Sequence, residues 1–135
     1  MPKPRALVFD SWAIMAYLGD EPSAEKIADL IADAHDDGTP MKMSVVNAGE
    51  VWYIIARRTS PAEADRALRL IEEIGIAFVD ADLPLTKLAA SFKVKGNISY
   101  ADCYAAALAK REKAALLTGD REFEQLRKDV RIIWL

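Results

Sequence analysis

The 135-residue sequence contains a single cysteine, Cys103, and a single histidine, His35. A structural zinc site needs about four cysteine or histidine ligands, so the composition excludes one, and a lone cysteine also excludes an internal disulfide. A chain of this length buries roughly two thirds of the surface that its unfolded form exposes, so it needs neither device to hold a core. The scarcity of cysteine fits a reducing compartment, and we expect a cytoplasmic protein.

The sequence also lacks long apolar runs and an excess of positive charge. No stretch approaches the roughly 20 uncharged apolar residues of a membrane span, and Asp10 interrupts the apolar run that resembles part of a signal peptide. We therefore expect no association with a membrane. The chain has 18 Lys and Arg against 21 Asp and Glu, a net charge of -3. A polyanionic partner would have to be held by a local basic patch or by metal ions.

Short apolar runs alternate with segments of helical length along the whole chain. The apolar runs cover residues 6–10, 43–46, 76–80, 115–118 and 131–135. Runs that are apolar at every position suit strands covered on both faces, as in a parallel sheet with helical crossovers. No Pro/Gly-rich linker divides the sequence, so we expect one α/β domain over residues 1–135.

Capping residues indicate where the helices begin. The predicted helix starts are Ser23, Asn47, Ser60 with Pro61 behind it, Asp82, Ser99 and Asp120. Gly38 and Gly75 end two of these segments. The predicted order of elements is β-αα-β-αα-β-αα-β-α-β.

Four acidic residues come from junctions at the carboxyl edge of the predicted sheet, where open α/β sheets form their ligand sites. Asp10 ends the first strand and Asp120 follows the fourth. Glu50 lies one turn into the helix after the second strand, and Asp102 lies in the first turn of an alanine-rich helix. Each acid alone is well explained as a helix cap or a capping-box partner. Four converging carboxylates would repel one another unless cations lay among them, and Mg²⁺ or Mn²⁺ suits oxygen ligands.

Four sequence blocks carry a family resemblance: V-F-D-S, N-x-x-E-V, S-Y-A-D-C-Y-A-A-A-L-A and L-L-T-G-D-R-E-F. In order and spacing they resemble the signature blocks of the PIN domain, and in length the chain is most similar to VapC-type toxins of bacterial toxin-antitoxin pairs. The resemblance implies a single PIN domain over residues 1–135, a three-layer αβα sandwich around a mostly parallel five-stranded sheet. It also implies an endoribonuclease dependent on Mg²⁺ (or Mn²⁺), with Asp10, Glu50, Asp102 and Asp120 as metal ligands.

The same resemblance implies partners for the chain. These are an RNA substrate, a VapB-type antitoxin that covers the acidic pocket, and a second copy of the chain in a homodimer. The apolar run at residues 51–55 is a candidate partner surface, and burial under the next helix explains it equally well. The non-catalytic alternative is a PIN-like protein-binding module whose acids serve only as helix caps.

For several residues near the acids, the sequence gives weaker evidence of a functional role. Thr118, a catalytic candidate, and Ser11 each stand beside an acid, where a hydroxyl can orient a metal-bound water, contact a phosphate or satisfy a backbone group at a turn. Lys93 and Lys95 are candidates for contacts with RNA phosphates because they precede the Asp102 block.

Cys103 and His35 are not expected to take part in catalysis. Cys103 lacks a histidine partner and adjoins a carboxylate that opposes thiolate formation, so we predict a packing role. His35 belongs to a polar helix end. Trp12 and Tyr104 stand where the family pattern leads us to expect smaller side chains, so the resemblance does not define the shape of the pocket, while the assignment of the acids is unaffected.

Overall fold

The computed structural model describes residues 2–135, which form five strands, six α-helices and a short 3₁₀ helix. The strands are β1 (Leu7–Phe9), β2 (Met41–Ser44), β3 (Ile76–Val79), β4 (Ala115–Thr118) and β5 (Arg131–Trp134). The helices are α1 (Ser11–Leu18), α2 (Ala24–Asp37), α3 (Val45–Arg58), α4 (Pro61–Glu73), α5 (Leu83–Lys95) and α6 (Tyr100–Glu112), with the 3₁₀ helix at Arg121–Leu126.

The five strands form one sheet in the order β3-β2-β1-β4-β5, and every neighbouring pair is parallel. The predicted α/β class and five-stranded sheet are therefore confirmed, and the sheet is parallel throughout. The chain moves outward from β1 to β3 and then returns to place β4 on the other side of β1. This change of direction opens a crevice at the carboxyl ends of β1 and β4.

Alternate side chains of the strands point to opposite faces of the sheet and pack into two separate cores. Val8 and Leu116 pack with α5 and α6 on one face, whereas Leu7, Phe9 and Leu117 pack with α1 to α4 on the other. Both faces of the sheet are covered, which is why its strands are apolar at nearly every position. This arrangement is the predicted three-layer αβα sandwich.

The alanine-rich stretch of α6 lets that helix approach the sheet closely. Its residues from Ala105 to Ala109 are almost completely inaccessible to solvent, and the helix contacts β1, β2 and β4. Small side chains permit this distance of approach, which brings the amino end of α6, and with it Asp102, over the centre of the sheet edge.

The prediction for the second strand and the helix after it was wrong at their junction. The strand spans Met41–Ser44 rather than residues 43–46, and α3 begins at Val45, with Ser44 and not Asn47 as its N-cap. The Ser44 hydroxyl accepts a hydrogen bond from the Val46 amide at 3.2 Å. Valines are tolerated in a first helical turn because no preceding turn restricts their rotamers.

The other predicted helix starts are confirmed. Helices α2, α4, α5 and α6 follow Ser23, Ser60, Asp82 and Ser99, and the segment after Asp120 is a 3₁₀ helix. Gly38 closes α2 with φ of 68°. Within residues 2–135, no helix is both long and apolar enough to cross a membrane.

The apolar run at residues 51–55 is divided between the core, a contact with α4 and the surface. Val51 is buried, and the Trp52 Nε1 donates a hydrogen bond to Asp65 of α4 at 2.9 Å. Tyr53 is exposed and lies under the guanidinium of Arg57, 5.0 Å from its ring centre. Burial therefore accounts for Val51, and contact with α4 accounts for Trp52, whereas Tyr53 is exposed and Ile54 is only partly buried. A partner surface at this run stays a prediction.

Candidate active site

All four predicted acids lie at the carboxyl edge of the sheet. Asp10 follows β1 and Asp120 follows β4, and these two strands are neighbours. Glu50 of α3 and Asp102 of α6 reach the same edge and line an open cleft of about 430 Å³ together with Asp120. Asp10 is only 1% exposed and lies behind this cleft, although its charge interacts with those of Asp102 and Asp120.

The tightest group of carboxylates includes one residue that the sequence did not indicate. Oxygens of Asp102, Asp120 and Glu122 all lie within 4.8 Å of one another. Glu122 stands in the 3₁₀ helix, and its amide donates a hydrogen bond to Asp120 Oδ1 at 2.9 Å. Its signal in the sequence was the D-x-E spacing directly after a strand, which reads equally well as the acidic first turn of a helix.

Asp10 is the N-cap of α1 and is also held by β4. Its Oδ1 accepts a hydrogen bond from the Ala13 amide at 2.7 Å, and its Oδ2 accepts one from the Thr118 hydroxyl at 2.5 Å. Burial nevertheless dominates and raises the pKa of Asp10 to about 7, with the charges of Asp102 and Asp120 adding to the effect. Asp10 is therefore a cap that is poorly stabilised as an anion.

Thr118 connects two of the acids through one fully buried hydroxyl. While donating to Asp10, its Oγ1 accepts a hydrogen bond from the Asp120 amide at 3.0 Å. The hydroxyl is thus engaged by protein groups at both its hydrogen and its oxygen. This geometry orients Asp10 and fixes the backbone of Asp120, and a direct part for Thr118 in the reaction stays a prediction.

Asp102 shows the same electrostatic conflict as Asp10. Asp102 is 8% exposed, and burial raises its pKa to about 6. The hydrogen bond with the Ser99 hydroxyl lowers this pKa but does not outweigh burial. The negative charges of Asp120, Glu50 and Glu122 raise it further. The Ser99 hydroxyl accepts a hydrogen bond from the Asp102 amide, so the cap of α6 is supplied by Ser99.

Glu50 is held by two side chains, both on the same oxygen. Ser11 Oγ donates to Glu50 Oε1 at 3.0 Å, and Asn47 Nδ2 donates to it at 3.2 Å. Asn47 Nδ2 also donates to the carbonyl oxygen of Ala101 at 3.1 Å, which links α3 to the residue before Asp102. Asn47 is thus a bridge between two acid-bearing helices rather than the predicted cap. Its buried Oδ1 has no hydrogen-bond partner within residues 2–135.

Positive charge is scarce around these acids. Among residues 2–135, no lysine or arginine forms an ion pair with any of the five acids, although six ion pairs occur elsewhere. Arg58 is the basic residue that lines the cleft. Lys93 instead donates to the Ile98 carbonyl at 2.7 Å, and neither it nor Lys95 lines the cleft. A cluster of carboxylate oxygens that forms no ion pair with the protein fits a hard divalent cation.

The remaining candidates have structural roles. Cys103 is a residue of α6 that is completely buried in the core, and burial raises the pKa of its thiol. His35 Nε2 lies 2.8 Å from the Ile74 carbonyl oxygen, away from the acids. Tyr104 is buried, and its hydroxyl donates to Thr86 Oγ1 at 2.8 Å. Of the two unexpected aromatic residues, only Trp12 lines the cleft.

The arrangement of this sheet edge agrees with a known family. The family model described as the PIN domain matches residues 7–129. The chain belongs to the PIN domain family. The match includes all five acids of the site, from Asp10 to Glu122. No curated protein sequence matches this PIN domain significantly.

Solved structures match the PIN domain over almost its whole length. VapBC2 from Rickettsia felis, bound to a DNA fragment from its promoter, has a TM-score of 0.79 at 12% identity, with 95% of this chain and 97% of that chain covered. VapBC-1 from nontypeable Haemophilus influenzae has a TM-score of 0.73 at 17% identity, with 96% and 97% covered. VapC20 from Mycobacterium tuberculosis, a sarcin-ricin loop cleaving toxin, has a TM-score of 0.68 at 17% identity, with 88% and 93% covered. At these identities the likeness shows the fold.

Proposed function

We propose that this PIN domain is a metal-dependent endoribonuclease and the toxin of a VapBC-type toxin-antitoxin pair, with residues 1–135 acting as a single domain. The observation that carries the proposal is the group formed by Asp102, Asp120 and Glu122. Their oxygens lie within 4.8 Å of one another, and none of them forms an ion pair with a lysine or arginine among residues 2–135. Such a group is electrostatically unfavourable in isolation. A bound Mg²⁺ or Mn²⁺ ion would relieve it.

The residues of the site divide into metal ligands and residues that orient those ligands. Asp10, Glu50, Asp102 and Asp120 would hold the metal, joined by Glu122 on the geometry described above. A bound divalent ion lowers the pKa of a water molecule and stabilises the leaving oxygen of a phosphodiester. Ser11 and Asn47 orient Glu50, and Thr118 orients Asp10. These neutral donors fix the carboxylates without adding a competing positive charge.

The partners of the domain are proposed from its structural neighbours. The matched structures from Rickettsia felis and Haemophilus influenzae are VapBC assemblies, which supports a VapB-type antitoxin for this chain as well. We extend the proposal to a homodimer working in the cytoplasm. Light scattering of the purified protein should give twice the mass of one chain, and a monomer at high concentration would contradict the dimer.

The alternative function is a non-catalytic module whose acids are helix caps. Two observations favour it, since Asp10 caps α1 and Asp120 caps the 3₁₀ helix. Capping does not account for Asp102, because Ser99 already caps α6, nor for Glu50, which lies in the second turn of α3. The nuclease proposal accounts for all of these acids together.

The test is cleavage of an RNA panel by purified protein with Mg²⁺, with Mn²⁺ and with a chelator. The panel should include an oligonucleotide of the sarcin-ricin loop, because one structural neighbour cleaves that RNA. We expect cleavage only with metal, and none from Asp102→Asn. The matched control is Asp82→Asn, which changes an acid that also precedes a helix but lies outside the cleft. Cleavage that survives in both the chelator and Asp102→Asn would contradict the proposal.

A further inference from the structure

The acid cleft continues into a second cavity along α1. This cavity, about 570 Å³, extends past Ala16 to Pro22 and Ser23 before α2, and also reaches Leu135. It shares three lining residues with the acid cleft, namely Trp12, Met15 and Arg58. The two cavities therefore form one groove, here called the Trp12 groove, which leads away from the acids of the cleft and has Glu21 as the acidic residue of its second part.

Trp12 stands at the junction of the two cavities and packs against Gly119. The six-membered ring of its indole lies against Gly119, where an added Cβ would come within 2.3 to 2.6 Å of three ring atoms. Gly119 therefore has to lack a side chain for the indole to occupy this position. The Trp12 residue is still 38% exposed. A large aromatic ring that packs against the backbone and is open to solvent presents an apolar surface beside the acids.

Arg58 supplies positive charge beside this aromatic ring. It is exposed, lines both cavities, and forms no ion pair within residues 2–135 despite the nearby carboxylates. The adjacent Arg57 differs, because its guanidinium lies over the ring of Tyr53. The Trp12 groove thus combines one free guanidinium with one exposed indole.

We propose that Trp12 stacks a nucleobase of the RNA next to the cleaved bond and that Arg58 contacts a phosphate of the same strand. The inference rests on the proposed nuclease function and adds the residues that hold the substrate. Single-stranded RNA is recognised by stacking of unpaired bases on aromatic rings and by contacts of basic residues with phosphates. The acidic cleft repels a polyanion, so the strand needs attraction at the side of the cleft, where these two residues lie.

The test for Trp12 uses an RNA oligonucleotide that the wild type cleaves with Mg²⁺. An abasic residue is placed in turn at each nucleotide that flanks the cut. In the wild type, removal of one particular base should lower kcat/KM about 5- to 150-fold, the effect of one base-aromatic stack. In Trp12→Leu the intact RNA should show a similar loss, mainly through KM, and the abasic residue should cause no further loss.

Matched variants separate stacking from folding. Trp12→Phe retains an aromatic ring and should stay within a few fold of the wild type. Trp52→Phe changes a tryptophan of α3 whose Nε1 donates to Asp65 outside the groove, and it should leave cleavage unchanged. Equal abasic losses in the wild type and Trp12→Leu, or unchanged kinetics of Trp12→Leu on intact RNA, would overturn the inference. Absence of RNA cleavage by the wild type would overturn the nuclease proposal itself, before any variant is compared.

The test for Arg58 is the dependence of RNA binding on salt, measured with Asp102→Asn to prevent cleavage. Each phosphate contact adds about 0.7 to the slope of log affinity against log salt for a single strand. Adding Arg58→Gln should reduce the slope by about this amount, whereas adding Arg57→Gln should not. Equal slopes for the two double variants would show that Arg58 does not contact a phosphate of the RNA.

Discussion

Asp10 and Asp82 are both aspartates at the N-cap of a helix, yet their environments affect them in opposite directions. Asp82 accepts the Leu85 amide at 2.8 Å and binds Arg111 with both oxygens at 3.1 Å. The Leu85 amide and then the Arg111 charge hold the pKa of Asp82 below its usual range. Asp10 accepts the Ala13 amide at 2.7 Å but has no cation, and burial raises its pKa to about 7.

The comparison shows that capping alone does not explain the acids at the sheet edge. Partial exposure and a neighbouring arginine stabilise the ionised form of a capping carboxylate, as at Asp82. Acids elsewhere in the chain also pair with a basic side chain, for example Glu112 with Lys42 and Asp129 with Lys110. The acids of the cleft lack such partners within residues 2–135. The repulsion among the carboxylates at the sheet edge is explained if a cation from outside the chain binds between them.

The largest expected effect sets Asp102 against Asp82 in catalysis. Asp102→Asn should lower kcat/KM for RNA cleavage by about 100-fold or more, because a metal-held transition state is stabilised by several kcal/mol. Asp82→Asn should retain full cleavage. Initial rates under saturating Mg²⁺ measure both. Comparable losses of kcat/KM in Asp102→Asn and Asp82→Asn would show that the cleft acid is no more important for catalysis than the capping acid.

The second effect concerns stability against pH in a chelator. The pKa of Asp10 is about 7 in the folded protein against 3.8 as its ordinary value, so the folded state binds more protons between these limits. The contribution of Asp10 to stability is therefore largest when Asp10 is protonated, falls as pH rises from about 4 to about 7, and then levels off. The loss is on the order of 4 kcal/mol at most, and Asp10→Asn should remove it. Denaturant unfolding at a series of pH values checks this, and a pH profile shared by wild type and variant would contradict it.

The third effect concerns the hydroxyl that supports the unpaired acids. Thr118→Val leaves Asp10 Oδ2 and the Asp120 amide without a fully buried partner and should cost about 1 to 3 kcal/mol of folding stability. Thr59→Val, at an exposed threonine that donates to the Ile55 carbonyl, is the control and should change stability by less than about 0.5 kcal/mol. Equal free energies of unfolding for the two variants would argue against the role assigned to Thr118.

The smallest effect is expected at the paired acid. Arg111→Gln removes the cation from Asp82, and because this pair is exposed to solvent, the melting temperature should fall only slightly. The fall should shrink further at high salt, which screens exposed charges. A large, salt-independent fall measured by thermal denaturation would show that the pair is more important than its exposure indicates.

The sequence predicted the layers of the fold well because its strongest signals are local. Runs that are apolar at every position identify strands buried on both faces, and serine, aspartate and proline mark the first turns of helices. The junction at Ser44 was missed because Val45 and Val46 have strand propensity, and only the packing of α3 decides that they are helical.

The site was less predictable because its details depend on distant contacts. Asp10, Glu50, Asp102 and Asp120 could be selected from the strand junctions alone. Glu122 and the bridge from Asn47 to Ala101 could not, since they depend on how the 3₁₀ helix and α6 approach α3. Arg58 likewise reaches the cleft only because the end of α3 lies beside α1.

The most direct test of the account is the thermal stability of wild type and Asp102→Asn, each in chelator and in Mg²⁺, at a pH above 7. A cation that binds only the folded state stabilises it by mass action, so Mg²⁺ should raise the melting temperature of the wild type by several degrees. Asp102→Asn should melt in chelator at the same temperature as the wild type or higher, because it removes one of the repelling charges, and it should respond little to Mg²⁺. A variant that melts lower than the wild type in chelator, with no Mg²⁺ shift in the wild type, would leave these acids as helix caps and contradict the metal site.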